Sequence, residues 1–549
     1  MRLGRYSDVL QGIAEASPDR PAIVSRDRRL TYRRLAEEAG AVARYLQQCG
    51  VRPGDSVALY CYNRPEFLVV LHACLATGVA PVPINFRYRA TELRDLLRDS
   101  AARVLVHPAS LGSVAAEAAS ALDRPPARLQ LDDDGTEPPA GTNPPDGEAA
   151  AAVAYRDVVA EPGELPATPP PGGELRLYTG GTTGRPRAVV WDADHLLEGK
   201  LFSIYTLAGL EVPETVEEAV AIAADGTPRV ATLPLAPFMH GTALFTSLNT
   251  LVLGGTVIVH ATPHLDAEEA LRQIHDEGAT RLVLAGDAVA LPLLTVAEQA
   301  PAGLGQVRSV LSSGMRLSDE TKRRLHALAE LSIVDLLAAT EGGPFATAVS
   351  HGVDDVPAGL RLMADAAVLD DDDAEVQHRV GALGRLAFRG ALPKGYLRDE
   401  AKTRAAFPVI GGRRYVVPGD WVRVLDDDGH IELLGRGSAV VNTGGEKVYP
   451  AEVEQALLDH PYVADAVVFG SPDPRFGEAV TAVVVSAVGA SIGLDDLADH
   501  LGRRLAGYKK PRHVLVRDSL RRSAHGKVDL ASLKQEAAAE LLETRQAHR

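Results

Sequence analysis

The chain has 549 residues, 46% hydrophobic and 24% charged, the balance of a soluble globular protein with material for roughly two to four domains. Its 57 basic residues stand against 73 acidic ones, and a net charge of −16 argues against broad binding to nucleic acid or to an anionic membrane surface. No apolar run approaches the roughly 18–20 residues of a membrane span, and the opening MRLGRYSDVLQGIAEA lacks the apolar core of a secretory signal.

In chain order, PAIVS reads as a strand. TYRRLAEEAGAVARYLQQCG follows as an amphipathic helix starting at an N-cap Thr31 and ending at Gly50. DSVALYCY is a strand, RPEFLVVLHACLATG a buried helix ending at Gly78, and TELRDLLRDS precedes the strand RVLVH. Such alternation predicts βαβ units and a mainly parallel sheet. Cys49, Cys61 and Cys74 sit in apolar surroundings and read as buried free thiols of a reducing compartment, hence a cytoplasmic protein. Residues 132–173, rich in Pro, Gly, Ala and acid, read as a solvated surface insertion. The α/β pattern resumes through RVATLPLAP, GTVIVH, ATRLVLAG and SVLSSG.

A boundary falls near Gly435. The expected fold is therefore α/β: a large multi-subdomain body over residues 1–434, with mainly parallel sheets, and a small mobile α+β domain over 435–549. A crevice between a large body and a small mobile domain is a common place for an active site.

LYTGGTTGRPRAVVW, Leu177 to Trp191, gathers glycines, threonines and two arginines in one loop. Small consecutive residues let backbone N–H groups converge on an anion, threonine hydroxyls add donors, and arginine supplies a fork for phosphate. No glycine precedes a Lys-Ser/Thr pair, so this is not a Walker loop, and it is not GxGxxG. Alone, it reads either as a phosphate cradle or as a glycine-rich turn.

Other segments narrow the choice. YTGGTTGRPRAVV resembles the phosphate loop of adenylate-forming enzymes. ATEGG (Ala339–Gly343) resembles their Thr-Glu motif and VPGDW (Val417–Trp421) their motif ending in Gly-Asp. GRGSAVVNTGGEKVYPAEVE (Gly435–Glu454) resembles the hinge and core motif, and RSAHGKVDL (Arg522–Leu530) the final Gly-Lys motif. PLAPFMHGTAL, SSGMRLS and PKGYLRDEAKTRAAF fit between them, so the resemblance spans about residues 15–535. Within that superfamily, YTGGTTG, GRGS and NTGGEKV are similar to AMP-forming acyl-CoA synthetases of the actinobacterial fatty-acid and steroid side-chain type.

The resemblance implies a ligase using ATP, Mg²⁺ and CoA. Thr179, Gly180, Gly181, Thr182, Thr183, Gly184 and Arg187 would hold the β- and γ-phosphates. Glu341 would ligate Mg²⁺, Thr340 would touch the α-phosphate, and Ser313, Gly314 and Met315 would line adenine, with Leu337 where relatives stack an aromatic. Asp420 would accept the ribose hydroxyls, Arg436 would contact ribose or phosphate, and Lys527 would bridge the reacting carboxylate and α-phosphate. After adenylation the small domain would rotate, replacing Lys527 with the face of Gly444, Gly445, Glu446 and Lys447, which guides the CoA thiol. His240 would gate the acyl pocket.

Each assignment has a plainer counterpart: Glu341 as a solvated acid, Asp420 as a turn aspartate, Lys527 as surface decoration, His240 and Trp191 as core. Lys509, Lys510 and Arg512 of GYKKPR read equally as CoA-phosphate contacts or a solvated turn. Departures from the family pattern include Arg187 for the usual Lys, Ala188 and Ala338 for Gly, and Ser438 at the hinge. They leave room for other uses of adenylation: a diazotase that activates nitrite toward an aryl amine, or loading of a carrier protein. A homodimer also stays open, and the acid itself is not legible.

Overall fold

The computed structural model describes residues 4–133, 152–179, 186–226, 229–436, 441–443, 446–473, 477–488, 492–505, 507–522 and 528–547. They fall into two units, one of residues 1–358 and 389–416, the other of 359–388 and 417–549.

In the first unit the expected alternation is met. The helix Tyr32–Gln48 starts where Thr31 caps it, its side chain accepting from the Arg34 amide at 3.3 Å. The helix Pro65–Thr77 is buried along nearly its whole length. A five-stranded sheet, all parallel, runs in the order Ala80–Pro83, Ser56–Leu59, Ala102–Pro108, Ala127–Leu131, Val153–Ala154. Cys61 and Cys74 are buried free thiols whose pKa values burial pushes up, whereas Cys49 is partly exposed.

A second sheet of this unit is ordered Arg29–Thr31, Pro21–Val24, Thr256–Ile258, Ala231–Pro234, Arg281–Leu284, Ser309–Ser313, Ser332–Ala339, Gly342–Ser350. Its inner pairs are parallel and its two outermost pairs antiparallel. The helices Ala267–Asp276, Asp287–Ala297 and Asp319–Leu328 bury Ile274, Leu293 and Leu325 in one cluster with Leu282 and Val310 of the strands.

Where it is described, the segment read as a solvated insertion is mostly exposed or half-buried, yet it is tied to the body at particular residues. Val153–Ala154 pairs with the Ala127–Leu131 strand, and Tyr155 is 4% exposed. Its hydroxyl donates to Glu38 Oε2 at 2.8 Å, and Arg28 bonds both Glu38 and Glu66. Farther on, the Gly163 amide donates to the Glu37 carbonyl at 2.9 Å. Composition weighed the Pro, Gly and Ala of this stretch and passed over one aromatic whose hydroxyl answers a buried carboxylate.

The second unit holds an antiparallel sheet in the order Ala366–Leu369, Leu383–Phe388, Asp420–Val424, His430–Arg436, Leu360–Leu362. It also holds the small α+β fold expected at the C-terminus: Glu446–Val448, Val441–Thr443, Gly477–Ser486 and Val463–Asp473 in order, with His513–Arg517 parallel to Gly477–Ser486. The helices Pro450–Leu458 and Leu494–Gly502 cover it, burying Val453, Leu457, Leu497 and Leu501.

Candidate active site

The phosphate-loop candidate is framed by two antiparallel strands, Glu174–Thr179 and Arg187–Asp192, with Thr179 opposite Arg187 in register. Gly180, Gly181, Thr182, Thr183 and Gly184 lie outside the described residues. Ala188, Val189, Val190 and Trp191 are all buried, which anchors the arm after the loop. A third strand, Gly395–Tyr396, pairs with Val190 and Val189.

That third strand brings in a residue the sequence reading gave no role. Ser332–Ala339 and Gly342–Ser350 form a hairpin closed by the pair Ala339↔Gly342, so Thr340 and Glu341 are its tip. The Tyr396 hydroxyl donates to Glu341 Oε1 at 2.7 Å, and the Trp191 indole N–H donates to the Thr340 carbonyl at 3.1 Å. Two side chains of the three-stranded sheet thus hold the hairpin tip, one at each residue. Lys402 lies over the Tyr396 ring, 4.4 Å from its centroid.

Arg187 sits beside this pair with its charge only loosely engaged. Its guanidinium is 3.6 Å from Asp399, and its buried Nε has no hydrogen-bond partner among the described residues. Asp399 itself caps the helix Glu400–Ala406, accepting from the Lys402 amide at 3.0 Å. A buried donor without a partner is costly, and an anion there would satisfy it.

The adenine candidates also meet. Ser313 is 6% exposed, pairs in register with Leu336 and donates to its carbonyl at 2.9 Å. Gly314 follows at φ +83°, with open space where a side chain would stand, and Met315 is partly buried beside it. Leu337, partly buried, is the neighbour of Leu336 on the same strand. His240 is exposed and occupies the N-cap position of the helix Gly241–Val252. Trp191 is 4% exposed, as a core residue is, and its indole N–H also reaches the hairpin tip.

The other candidates belong to the second unit. Asp420 opens its strand directly opposite Arg436, whose side chain is not described, and Trp421 stacks at a tilt on Tyr449, centroids 6.2 Å apart. Lys447 pairs with Asn442 through the backbone. Gly444, Gly445, Lys527 and the hinge Ser438 lie outside the described residues. Of the GYKKPR cations, Lys509 is already paired with Glu452 at 2.5 Å.

Tyr396 and Asp399 had one sequence signal, their place in PKGYLRDEAKTRAAF. Nothing local shows that the tyrosine reaches a residue 55 positions back.

The geometry also bears on a metal. Among the described residues no group of three His, Cys, Asp or Glu could hold an ion alone. Glu341 offers one carboxylate, steadied by Tyr396, on a two-residue turn. That fits Mg²⁺, which is usually held by one or two carboxylates together with substrate phosphates.

The family model of the AMP-binding enzyme matches residues 10–397, and that of the AMP-binding enzyme C-terminal domain matches 452–527. The chain belongs to the AMP-binding enzyme family. It is 36% identical to a medium-chain acyl-CoA ligase of Mycobacterium avium, covering 96% of this chain and 97% of that protein. It is 35% identical to a medium/long-chain-fatty-acid–CoA/3-oxocholest-4-en-26-oate–CoA ligase of Mycolicibacterium smegmatis, covering 95% and 94%. A feruloyl-CoA synthase of Amycolatopsis is 31% identical, with 94% and 95% covered. The fold is shared with the anthranilate CoA ligase AuaEII, whose crystal structure holds anthranoyl-AMP: TM-score 0.78, 21% identity, 99% of both chains.

Proposed function

We propose that the enzyme activates a carboxylic acid with ATP and passes the acyl group to the thiol of CoA. The acid's carboxylate oxygen attacks the α-phosphorus, the bond to the bridging oxygen breaks, and pyrophosphate leaves. The thiolate of CoA then attacks the acyl carbonyl of the acyl-adenylate, and AMP leaves with the electron pair of the broken C–O bond. Its full-length relatives are named for acid–CoA ligation, of medium-chain, steroid side-chain and feruloyl acids. Their spread supports the reaction and leaves the acid to this chain's own pocket.

The observation that carries the reading is the gathering of Arg187, Thr340 and Glu341 through one small sheet. Charge builds on phosphoryl oxygens during adenylation, so the protein's task is positioning and electrostatic stabilisation. Arg187 Nε, unpartnered among the described residues, is the donor for a phosphate oxygen. Thr340 is held by Trp191 to meet the α-phosphate. Glu341 would hold Mg²⁺, which when bound neutralises charge across the triphosphate. Ser313, Gly314, Met315 and Leu337 take the adenine. In the second unit Asp420 takes the ribose hydroxyls, with Arg436 opposite, and Lys527 serves the adenylation step. Residues 435–549 act as a lid in this reading, Gly444, Gly445 and Lys447 serve the thiol step, and His240 borders the acyl group. Unpaired Cys61 and Cys74 accord with a cytoplasmic setting.

The two half-reactions test this. Glu341→Gln should slow pyrophosphate release on the order of 100-fold. Lys527→Ala should nearly abolish pyrophosphate release while sparing thioester formation from supplied acyl-adenylate. Equal loss of both half-reactions in Lys527→Ala would contradict the roles given.

A further inference from the structure

Lys200 ends a short 3₁₀ turn, Glu198–Lys200, that runs into the helix Leu201–Ile204. The turn is pinned by close packing: a Cβ on Gly199 would lie 2.4 Å from that of Ala391. Its next tie is the Ser203 hydroxyl, which donates to the Lys200 carbonyl at 2.8 Å. From this fixed backbone the partly buried side chain reaches two aromatic rings. Its Nζ is 5.1 Å from the Trp191 centroid and 4.6 Å from that of Phe245, and the rings meet edge to face at 5.9 Å.

Ring faces attract an ammonium, but they carry no net charge. No carboxylate of the described residues pairs with Lys200, although His195 and Glu198 pair on the same turn. Burial pushes its pKa down to about 8, which leaves the ammonium form predominant at neutral pH. A desolvated cation without a counter-ion is unfavourable, and an anion placed against it removes the penalty.

The position of the cation says where that anion comes from. Trp191 carries Lys200 on its ring and, through its N–H, holds the carbonyl of Thr340. Phe245 lies one turn into the helix that follows His240, so close to Gly241 that a Cβ there would be 3.1 Å from its ring. One indole ring therefore separates the ammonium from the hairpin tip, and the helix behind His240 supplies the other wall.

We infer that Lys200 selects the acid: the substrate carries a second carboxylate, a few atoms from the one activated, and pairs it with Lys200 in front of Trp191 and Phe245. The inference rests on the acid-activating reading above. A long-chain fatty acid would set hydrocarbon against this ammonium, whereas a compact diacid supplies the missing charge.

Pyrophosphate release with glutaric against pentanoic acid, and isophthalic against benzoic acid, tests it, with dodecanoic acid as the long-chain member. For the wild type we expect kcat/KM at least tenfold higher for the diacid in one pair or both. Lys200→Met should bring that ratio to one or below, and Lys200→Arg should restore most of it. A wild type that prefers the monoacids, or a ratio unchanged in Lys200→Met, overturns the inference while leaving acid activation standing. No pyrophosphate release with any of the five acids overturns the acid-activating reading and this inference with it.

Discussion

Tyr396 and Glu341 are joined by a hydrogen bond of 2.7 Å from the phenol to the carboxylate, across 55 positions of sequence. Neither residue is on the phosphate loop, yet the strand carrying Tyr396 pairs with the strand that leaves it. The bond ties the orientation of the metal-holding candidate to the arm bearing Arg187.

Removing that hydroxyl should therefore weaken the metal site more than the fold. For Tyr396→Phe we expect the Mg²⁺ concentration needed for half-maximal pyrophosphate release to rise roughly 10–100-fold, as for other groups that orient a ligating carboxylate. An unchanged Mg²⁺ dependence would detach Tyr396 from the role of Glu341.

Trp191→Phe keeps an aromatic ring in the core but removes the donor to Thr340. A lost hydrogen bond of this kind is worth roughly 1 kcal/mol, so pyrophosphate release should fall about fivefold, with the loss in kcat. A change confined to the KM for the acid would place Trp191 in the acyl pocket alone.

His72 and His107 set a pH dependence. Both are buried, His72 Nδ1 and His107 Nε2 have no hydrogen-bond partner among the described residues, and burial lowers each pKa from 6.5 to about 4. The folded pKa is the lower one, so the unfolded chain takes up the proton first. The stability each contributes is full above pH 6.5 and drains as pH falls toward 4, at about 1.4 kcal/mol per pH unit per histidine. The melting temperature should fall steeply across that window, and His72→Leu should flatten the fall. Parallel curves for the two proteins would rule His72 out as a source.

Gly40 is the seat of the surface segment's second tie. A Cβ there would lie 2.3 Å from the Gly163 carbonyl carbon and 2.5 Å from the Glu164 amide, both backbone atoms that cannot step aside alone. Gly40→Ala should destabilise by roughly 1–3 kcal/mol. Limited proteolysis should then cut sooner within 152–170, and a wild-type cleavage rate there would contradict the packing.

Much of the fold was legible because local signals agreed with one another. Thr31 caps its helix, the alternating strands pair in parallel, and Gly78 ends a helix whose apolar run admits no exposed face. The hairpin tip was legible as a motif, since Thr340 and Glu341 are adjacent in the chain. What holds the tip was not: Tyr396 and Trp191 reach it from strands distant in sequence. Lys200 was hidden for a related reason, because an isolated lysine between a glycine and a leucine looks solvated until Trp191 and Phe245 are seen around it. The tie between Tyr155 and Glu38 likewise depends on tertiary pairing, which composition averages away.

The most direct test of the account is product analysis with the purified chain, ATP, Mg²⁺, CoA and an acid panel spanning the five acids above. The account predicts pyrophosphate release that depends on the acid and an acyl-CoA thioester of matching mass. No thioester from any acid, with dinitrogen loss or azo products appearing instead from an aryl amine and nitrite, would contradict it.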